Sequence, residues 1–228
     1  MLFETNALSR PARAIAPGIA HIPNFVGLQQ QEDIVGQIRN IAREVSKTPV
    51  AMTKPVLRSG GQMSVYMLHL GYFFDYDAYR YVSSKAGVPA PVLPLTLAQL
   101  GKKGLMSAAA LAPELSPWAT TFEPDMALVN YYPPGAHMGM HQDFYERTSA
   151  PIVSVSIGDE ALFRIGSTTT RAAPWDEVTL SSGDLIVFGG PKRLAFHGVP
   201  KTTPHTAPAG CGVTSGRINI TSRQVYQH

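Results

Sequence analysis

The sequence has little cysteine, little charge and no long apolar run. Its single thiol, Cys211, cannot close an internal disulfide, and the opening residues lack the basic start and continuous apolar core of a secretory signal. A reducing cytoplasm is therefore the expected compartment. No apolar stretch approaches the roughly 18 residues of a bilayer-spanning helix, which argues against membrane insertion. Charged residues supply only 15% of the chain against 44% hydrophobic, a balance that excludes a disordered chain and provides for a sizeable core. Repeats and low-complexity tracts are absent as well.

What is abundant points to β structure. The 20 Gly and 19 Pro require many turns, and 228 residues suit a single domain, 1–228, of sandwich or barrel type. The net charge of +3 and pI ≈ 9.0 are compatible with a polyanionic partner without identifying one.

Between Gln30 and Val45 the residues Ile34, Ile38, Ile41 and Val45 recur at spacings of three and four. This predicts an amphipathic helix exposing Glu32, Gln37, Arg39 and Glu44, and makes 1–47 an N-terminal arm and helix. Residues 48–90 interleave Tyr66, Tyr72, Phe73, Phe74, Tyr76, Tyr79 and Tyr81 with Lys54, Arg58, Arg80 and Lys85. Rings mixed with cations suit base stacking and phosphate holding, or else form a small aromatic cluster under a loop. A supporting region, 91–124, contains a second expected helix from Leu95 to Leu111, broken near Gly101 to Gly104. From 125 to 228 the texture is β, with expected strands at Met126 to Tyr132, Ile152 to Ile157, Leu162 to Ile165, Val178 to Leu180, Leu185 to Phe188 and Arg217 to Val225. Lys201 to Gly216, rich in Thr, Pro and Gly, reads as a long loop.

His141 and Asp143 stand two residues apart just ahead of the alternating run IVSVSI, so they share one strand face and could grip one ion. A third ligand is offered by His197, at the end of an expected strand. Two imidazoles and one carboxylate with open positions suit non-haem Fe(II), and would also bind zinc. In RINITSRQ, Arg217, Asn219, Thr221 and Arg223 fall on one face, and Ile218 and Ile220 on the other. Two guanidinium groups on one buried face demand anions; a dicarboxylate matches their planar forks.

These motifs together, NxYxPGxxxxxHQD (Asn130 to Asp143), APIVSVS (Ala150 to Ser156), RLAFHG (Arg193 to Gly198) and RxNxTxR (Arg217 to Arg223), resemble those of the AlkB family of Fe(II)- and 2-oxoglutarate-dependent dioxygenases, which repair alkylated nucleic acid. The likeness is dense from Asp125 to Gln224 and reaches back more loosely through GGQMSV (Gly60 to Val65). It implies a mainly β chain with flanking helices: a double-stranded β-helix (jelly-roll) core at 125–228 and a nucleotide-recognition lid at 48–90. By position it implies Fe(II) ligands His141, Asp143 and His197. It places Asn130, Tyr132, Arg217, Asn219 and Arg223 around 2-oxoglutarate, with Arg217 on the distal carboxylate and Arg223 near the metal-bound end. Tyr72, Tyr79, Tyr145 and Arg171 fall at or near substrate-contact positions.

The implied reaction is oxidative demethylation of bases of the 1-methyladenine and 3-methylcytosine type in DNA, with RNA a further substrate. It consumes O2 and 2-oxoglutarate and yields succinate, CO2 and formaldehyde. The implied partner is methylated nucleic acid, single-stranded or with the base flipped out, handled by a monomer. A protein or small-molecule substrate stays open, because the core motifs specify the oxidant better than its target. A passive metal-binding jelly roll would have no need of Arg217 and Arg223. The chain also departs from the family pattern: bacterial repair members often carry an acid two residues beyond the metal Asp, where this chain has Tyr145, with Glu146 next door. Altered base preference is expected.

Other polar residues carry no such context. His21, His69, His137, His205 and His228 are expected on the surface or in loops, Cys211 in a flexible loop, and Ser154 and Ser156 along a sheet face. Gly189-Gly190 reads as a strand-end turn.

Overall fold

The computed structural model describes residues 10–57 and 60–227, so Arg58, His228 and the first nine residues of the expected arm lie outside it. Two sheets face each other. The larger has seven strands in the order β1 (Arg13–Ala16), β2 (Ile19–Ile22), β13 (Leu185–Phe188), β10 (Ile152–Gly158), β15 (Arg217–Arg223), β8 (Met126–Tyr132) and β3 (Tyr66–Leu70). The smaller runs β12 (Asp176–Leu180), β11 (Glu160–Ile165), β14 (His197–Thr203) and β9 (Met138–His141). All the pairings of the two sheets are antiparallel, which gives the jelly-roll core. Two small hairpins stand beside it, β4 (Phe73–Asp75) with β5 (Arg80–Val82) and β6 (Ser84–Lys85) with β7 (Val88–Pro89).

The period of two decides which side each residue serves. Along β15, Ile218 and Ile220 join Val153, Val155, Leu185 and Val187 in the core beneath two helices, while Arg217, Asn219, Thr221 and Arg223 face the other sheet. Full burial of a side chain such as Ile220 stabilises by about 1.5–3 kcal/mol, so this register is strongly set.

Helix α1 (Leu28–Glu44) buries Ile34 and Ile38, as the spacing predicts, and Gln31 and Val35 besides, with Ile41 and Val45 partly covered. Its first turn is tied down by Gln31, whose Nε2 donates to Val26 O at 2.7 Å and whose Oε1 accepts from Ser182 Oγ at 2.6 Å.

Helix α2 (Leu95–Ala109) is continuous, contrary to the expected break at Gly101 to Gly104. A Cβ on Gly101 would stand 3.0 Å from Ser222 Cβ, and one on Gly104 would stand 3.1 Å from both Leu185 and Val153. The glycines let the helix approach the sheet. Each costs about 1 kcal/mol of helix propensity, which that close packing offsets.

Four other expectations are corrected. His21 and His69 are 5% and 3% exposed and lie on strands, not in loops. His21 pairs with Asp184 at 3.0 Å. His197 opens β14 rather than closing a strand, and β14 carries on to Thr203, so the long loop starts later. Cys211 is fully buried within that loop, its Sγ 3.5 Å from Val213 O. Among the described residues no helix is long and apolar enough to cross a membrane.

Candidate metal centre and its cavity

His141 ends β9 and His197 begins β14, and the two are direct partners across the antiparallel pair. That register brings sequence-distant imidazoles to a centroid separation of 4.4 Å. Asp143, on the loop after β9, completes the group: His141 Nε2 is 3.9 Å from Asp143 Oδ1, and His197 Nε2 is 3.6 Å from Oδ2. One donor atom from each residue lies within 4.8 Å of the others.

Backbone carbonyls orient both rings. His141 Nδ1 is 2.9 Å from Gly139 O, and His197 Nδ1 is 3.0 Å from Ala195 O. With Nδ1 donating, each Nε2 turns its lone pair toward Asp143, which is how metal-ligating histidines are held. Burial, followed by the charge of His141, lowers the His197 pKa to about 4 against the pull of Asp143, so that ring is neutral at neutral pH. Burial opposes ionisation of Asp143, yet Arg223, then His197 and His141, outweigh it and hold the carboxyl well below its usual range. Two imidazoles and a carboxylate are the donor set that suits Fe(II). Asp143 Oδ2 accepts no hydrogen bond; Arg223 Nη2 lies 2.8 Å away without hydrogen-bond alignment. The buried oxygen keeps a lone pair for an ion, so the residues present fit the metal.

The cluster sits in a cavity of ≈ 420 Å³ between the sheets. Its floor is made by Asn130 and Tyr132 of β8 and by Asn219, Thr221 and Arg223 of β15; Arg217 is not among the lining residues and lies beside Tyr132. Cross-strand pairing aligns Asn130 with Asn219 and Tyr132 with Arg217. Arg217 is 1% exposed; Nη2 donates to Ser156 Oγ at 2.9 Å, while Nε and Nη1 have no partner. The Tyr132 ring covers it, 5.0 Å from the guanidinium carbon. Asn130 Oδ1 is a further buried atom without a partner. Buried donors are costly unless an acceptor arrives, and a carboxylate is the acceptor that suits a guanidinium.

The substrate-contact candidates are not all brought together. Tyr79, Tyr145 and Arg171 line the cavity. Tyr79 stands at the turn of the β4–β5 hairpin with φ 50°, a strained setting for a tyrosine that aims its ring 5.5 Å from Tyr145. Arg171 is exposed, its guanidinium 5.7 Å from the Phe196 ring centroid. Tyr72 is not among the lining residues; its ring packs 4.8 Å from Tyr226. It lies in the turn between β3 and β4 and on neither strand.

The sequence reading passed over His69, Glu146 and Arg193. His69 shares the inward face of β3 with Met67, lines the cavity and keeps Nε2 without a partner. Glu146 joins Arg193 and Arg223 in buried ion pairs. The available signal was Arg193 itself, a cation embedded in the apolar RLAFHG run.

The family model of the 2OG-Fe(II) oxygenase superfamily matches residues 18–223. An alpha-ketoglutarate-dependent dioxygenase AlkB homolog of Caulobacter vibrioides is 35% identical, over 92% of this chain and 89% of its own length. A DNA N(6)-methyladenine demethylase, ALKBH1D, of Arabidopsis thaliana is 31% identical over 96% of this chain and 52% of its own. The chain thus spans about half the length of that plant relative. The solved structure of OsALKBH1 superimposes with a TM-score of 0.79 at 29% identity, covering 94% of this chain and 100% of that one. Fold and site together define an iron- and 2-oxoglutarate-using oxygenase core. The chain belongs to the 2OG-Fe(II) oxygenase superfamily and, within it, to the AlkB family. Fe(II), 2-oxoglutarate and O2 are its cofactor and cosubstrates.

Proposed function

We propose that the chain oxidatively demethylates N-alkylated bases of the 1-methyladenine and 3-methylcytosine type in DNA, and in RNA. The observation that carries this reading is the group of buried, unpartnered polar atoms beside the metal cluster: Asp143 Oδ2, Asn130 Oδ1, and Arg217 Nε and Nη1. They match one metal ion and one dicarboxylate, and the substrate class is the one the AlkB resemblance implies.

His141, Asp143 and His197 would hold Fe(II), which with 2-oxoglutarate and O2 supplies the oxidising power as the cosubstrate decarboxylates to succinate and CO2. Arg217 would pair its free N–H groups with the distal carboxylate. Tyr132 keeps that guanidinium in place, Asn130 and Asn219 offer amides beside it, and Arg223 keeps Asp143 ionised. On the substrate, one C–H bond of the N-methyl group becomes C–OH; the C–N bond then breaks with its electron pair left on the ring nitrogen, which neutralises the cationic base, while formaldehyde leaves and the hydroxyl proton goes to solvent.

Residues 48–90 act as the nucleotide-recognition lid over the 125–228 core, with Tyr79 and Tyr145 receiving a flipped or single-stranded base. Arg171, exposed at the mouth, meets phosphate, and Tyr72 meets the flanking strand. The chain works as a cytoplasmic monomer. A second reading, demethylation at the exocyclic N6 of adenine, is favoured by one observation: among the described residues the only acids lining the cavity, Asp143 and Glu146, are both held by arginine. Among the described lining residues no carboxylate is left over to balance a cationic base. ALKBH1D carries the N(6)-methyladenine activity in its name.

The test is mass spectrometry of oligonucleotides bearing each methylated base, incubated with Fe(II), 2-oxoglutarate and O2. Loss of the methyl group with formaldehyde and succinate is expected. Succinate release driven by a peptide or metabolite, with every oligonucleotide unchanged, would overturn the reading.

A further inference from the structure

One buried carboxylate in the cavity wall has no part in the chemistry above. Glu146 lies three residues beyond Asp143, and its side chain is 1% exposed. Its Oε2 accepts from Arg193 Nη2 at 3.0 Å. Its Oε1 accepts from Arg223 Nη1 and from the Tyr81 hydroxyl, each at 2.6 Å. The Tyr81 oxygen accepts in turn from Arg223 Nη1 at 3.0 Å. The other end of the same guanidinium, Nη2, is 2.8 Å from Asp143 Oδ2. A continuous line of polar contacts therefore starts on β5 of the small hairpin and ends on a carboxylate of the metal cluster.

Both ends of that line face the cavity. The hairpin that carries Tyr81 also presents Phe74 and Tyr79 at the mouth, and the Phe74 ring is 5.1 Å from that of Tyr81. A planar group wedged among the mouth rings would bear on Tyr81 through Phe74. Buried ion pairs tolerate few alternative geometries, because desolvation is repaid only where the charges meet well. Arg193 braces the arrangement by donating from Nη1 to Asp143 O and from Nε to Ala150 O, each at 2.6 Å. A shift of the hairpin thus reaches Arg223, and through it Asp143, instead of being absorbed by loose packing.

We propose that Tyr81 and Glu146 are positioning residues that couple the hairpin to the metal cluster, so that nucleic acid at the mouth and metal at His141, Asp143 and His197 bind cooperatively. The proposal rests on the reading of the substrate as methylated nucleic acid. Coupling between two sites is reciprocal: the factor by which the oligonucleotide tightens metal binding is the factor by which metal tightens oligonucleotide binding.

The probe is Mn(II), its free concentration followed by electron paramagnetic resonance, with the full chain in the presence and absence of a single-stranded oligonucleotide containing 1-methyladenine. In the wild type the oligonucleotide is expected to tighten Mn(II) binding by about fivefold or more, within the usual range for coupled sites. Tyr81→Phe keeps the ring and removes only the hydroxyl; it should still bind oligonucleotide, with the tightening reduced below about twofold. Glu146→Gln should do the same, and if that variant fails to fold, Tyr81→Phe decides. Tyr76→Phe is the control, since its hydroxyl, in the same wall, donates to Met67 Sδ at 2.9 Å; it should keep the wild-type factor. An undiminished factor in Tyr81→Phe, or no tightening in a wild type that binds both ligands, overturns the coupling alone. A wild type that binds no methylated oligonucleotide overturns the nucleic-acid reading, and the coupling with it.

Discussion

On the helix side of the seven-stranded sheet, Leu68, Leu70, Val129, Val153, Val155, Leu185, Ile218 and Ile220 form one apolar layer. On the cavity side the same strands carry His69, Asn130, Ser154, Ser156, Arg217, Asn219, Thr221 and Arg223, nearly as well buried. Every described buried side-chain atom lacking a hydrogen-bond partner belongs to His69, Asn130, Arg217 and Arg223 of this second side or to Asp143 beside it. Buried polar groups are normally satisfied, because leaving one unpaired costs about 1–3 kcal/mol. One side of the sheet therefore supplies stability, while the other spends some of it to keep partners available for ligands.

The comparison can be broken most severely at the metal cluster. Asp143→Ala should lose measurable succinate formation and weaken metal binding by more than about a hundredfold, exceeding what loss of a mere supporting contact causes. Metal titration checks it. Next comes a paired contrast. Ile220→Ala, on the helix side, should lose about 2–5 kcal/mol of stability while the folded protein keeps its KM for 2-oxoglutarate. Arg217→Met, on the cavity side, should leave thermal stability unchanged or raised, since a buried charge is removed, and raise that KM by about ten- to a hundredfold. Denaturant melts and initial rates on both variants separate the two sides.

A smaller effect concerns His69. Burial, helped by Arg223 and Lys85, lowers its pKa from 6.5 to about 3. Between those values the unfolded chain binds a proton that the folded chain refuses, so stability falls as pH falls from about 6.5 toward 3. Between pH 7.5 and 5 the wild type should lose about 1–2 kcal/mol more than His69→Phe. Parallel stability profiles would remove His69 from the list of sacrificed groups. The smallest effect expected is in base choice. Tyr145→Asp restores an acid near the base and should change the ratio of rates on 1-methyladenine and 3-methylcytosine by about fivefold, the worth of one hydrogen bond. Identical ratios in the two proteins would contradict it.

Both sides of the sheet were legible to different degrees. Period-two alternation in RINITSRQ separated Ile218 and Ile220 from the arginines, and the strand at Leu185 to Phe188 stands where its apolar run placed it. The metal triad needed only spacing and the family resemblance, because β9 and β14 pair at His141 and His197. Helix α2 was misread because glycine signals a break locally, whereas here its missing Cβ answers a tertiary need against Ser222, Leu185 and Val153. His69 is expected on the surface or in a loop because no motif surrounds it, and YMLHL gives no hint that its strand edges a cavity. Tyr72 resisted placement for a related reason: hairpin turns set ring direction, and Tyr79 reaches the cavity only through a positive φ that no pattern announces. The Glu146 network joins residues far apart in the chain, which spacing cannot reveal.

The most direct measurement is calorimetric titration of 2-oxoglutarate into the Mn(II)-loaded protein under anaerobic conditions. One equivalent should bind to the wild type, with affinity lost in Arg217→Met while Mn(II) binding persists. Failure of the wild type to bind the dicarboxylate, or equal binding by the variant, would contradict the view that the cavity side keeps its buried cation unpaired for that ligand.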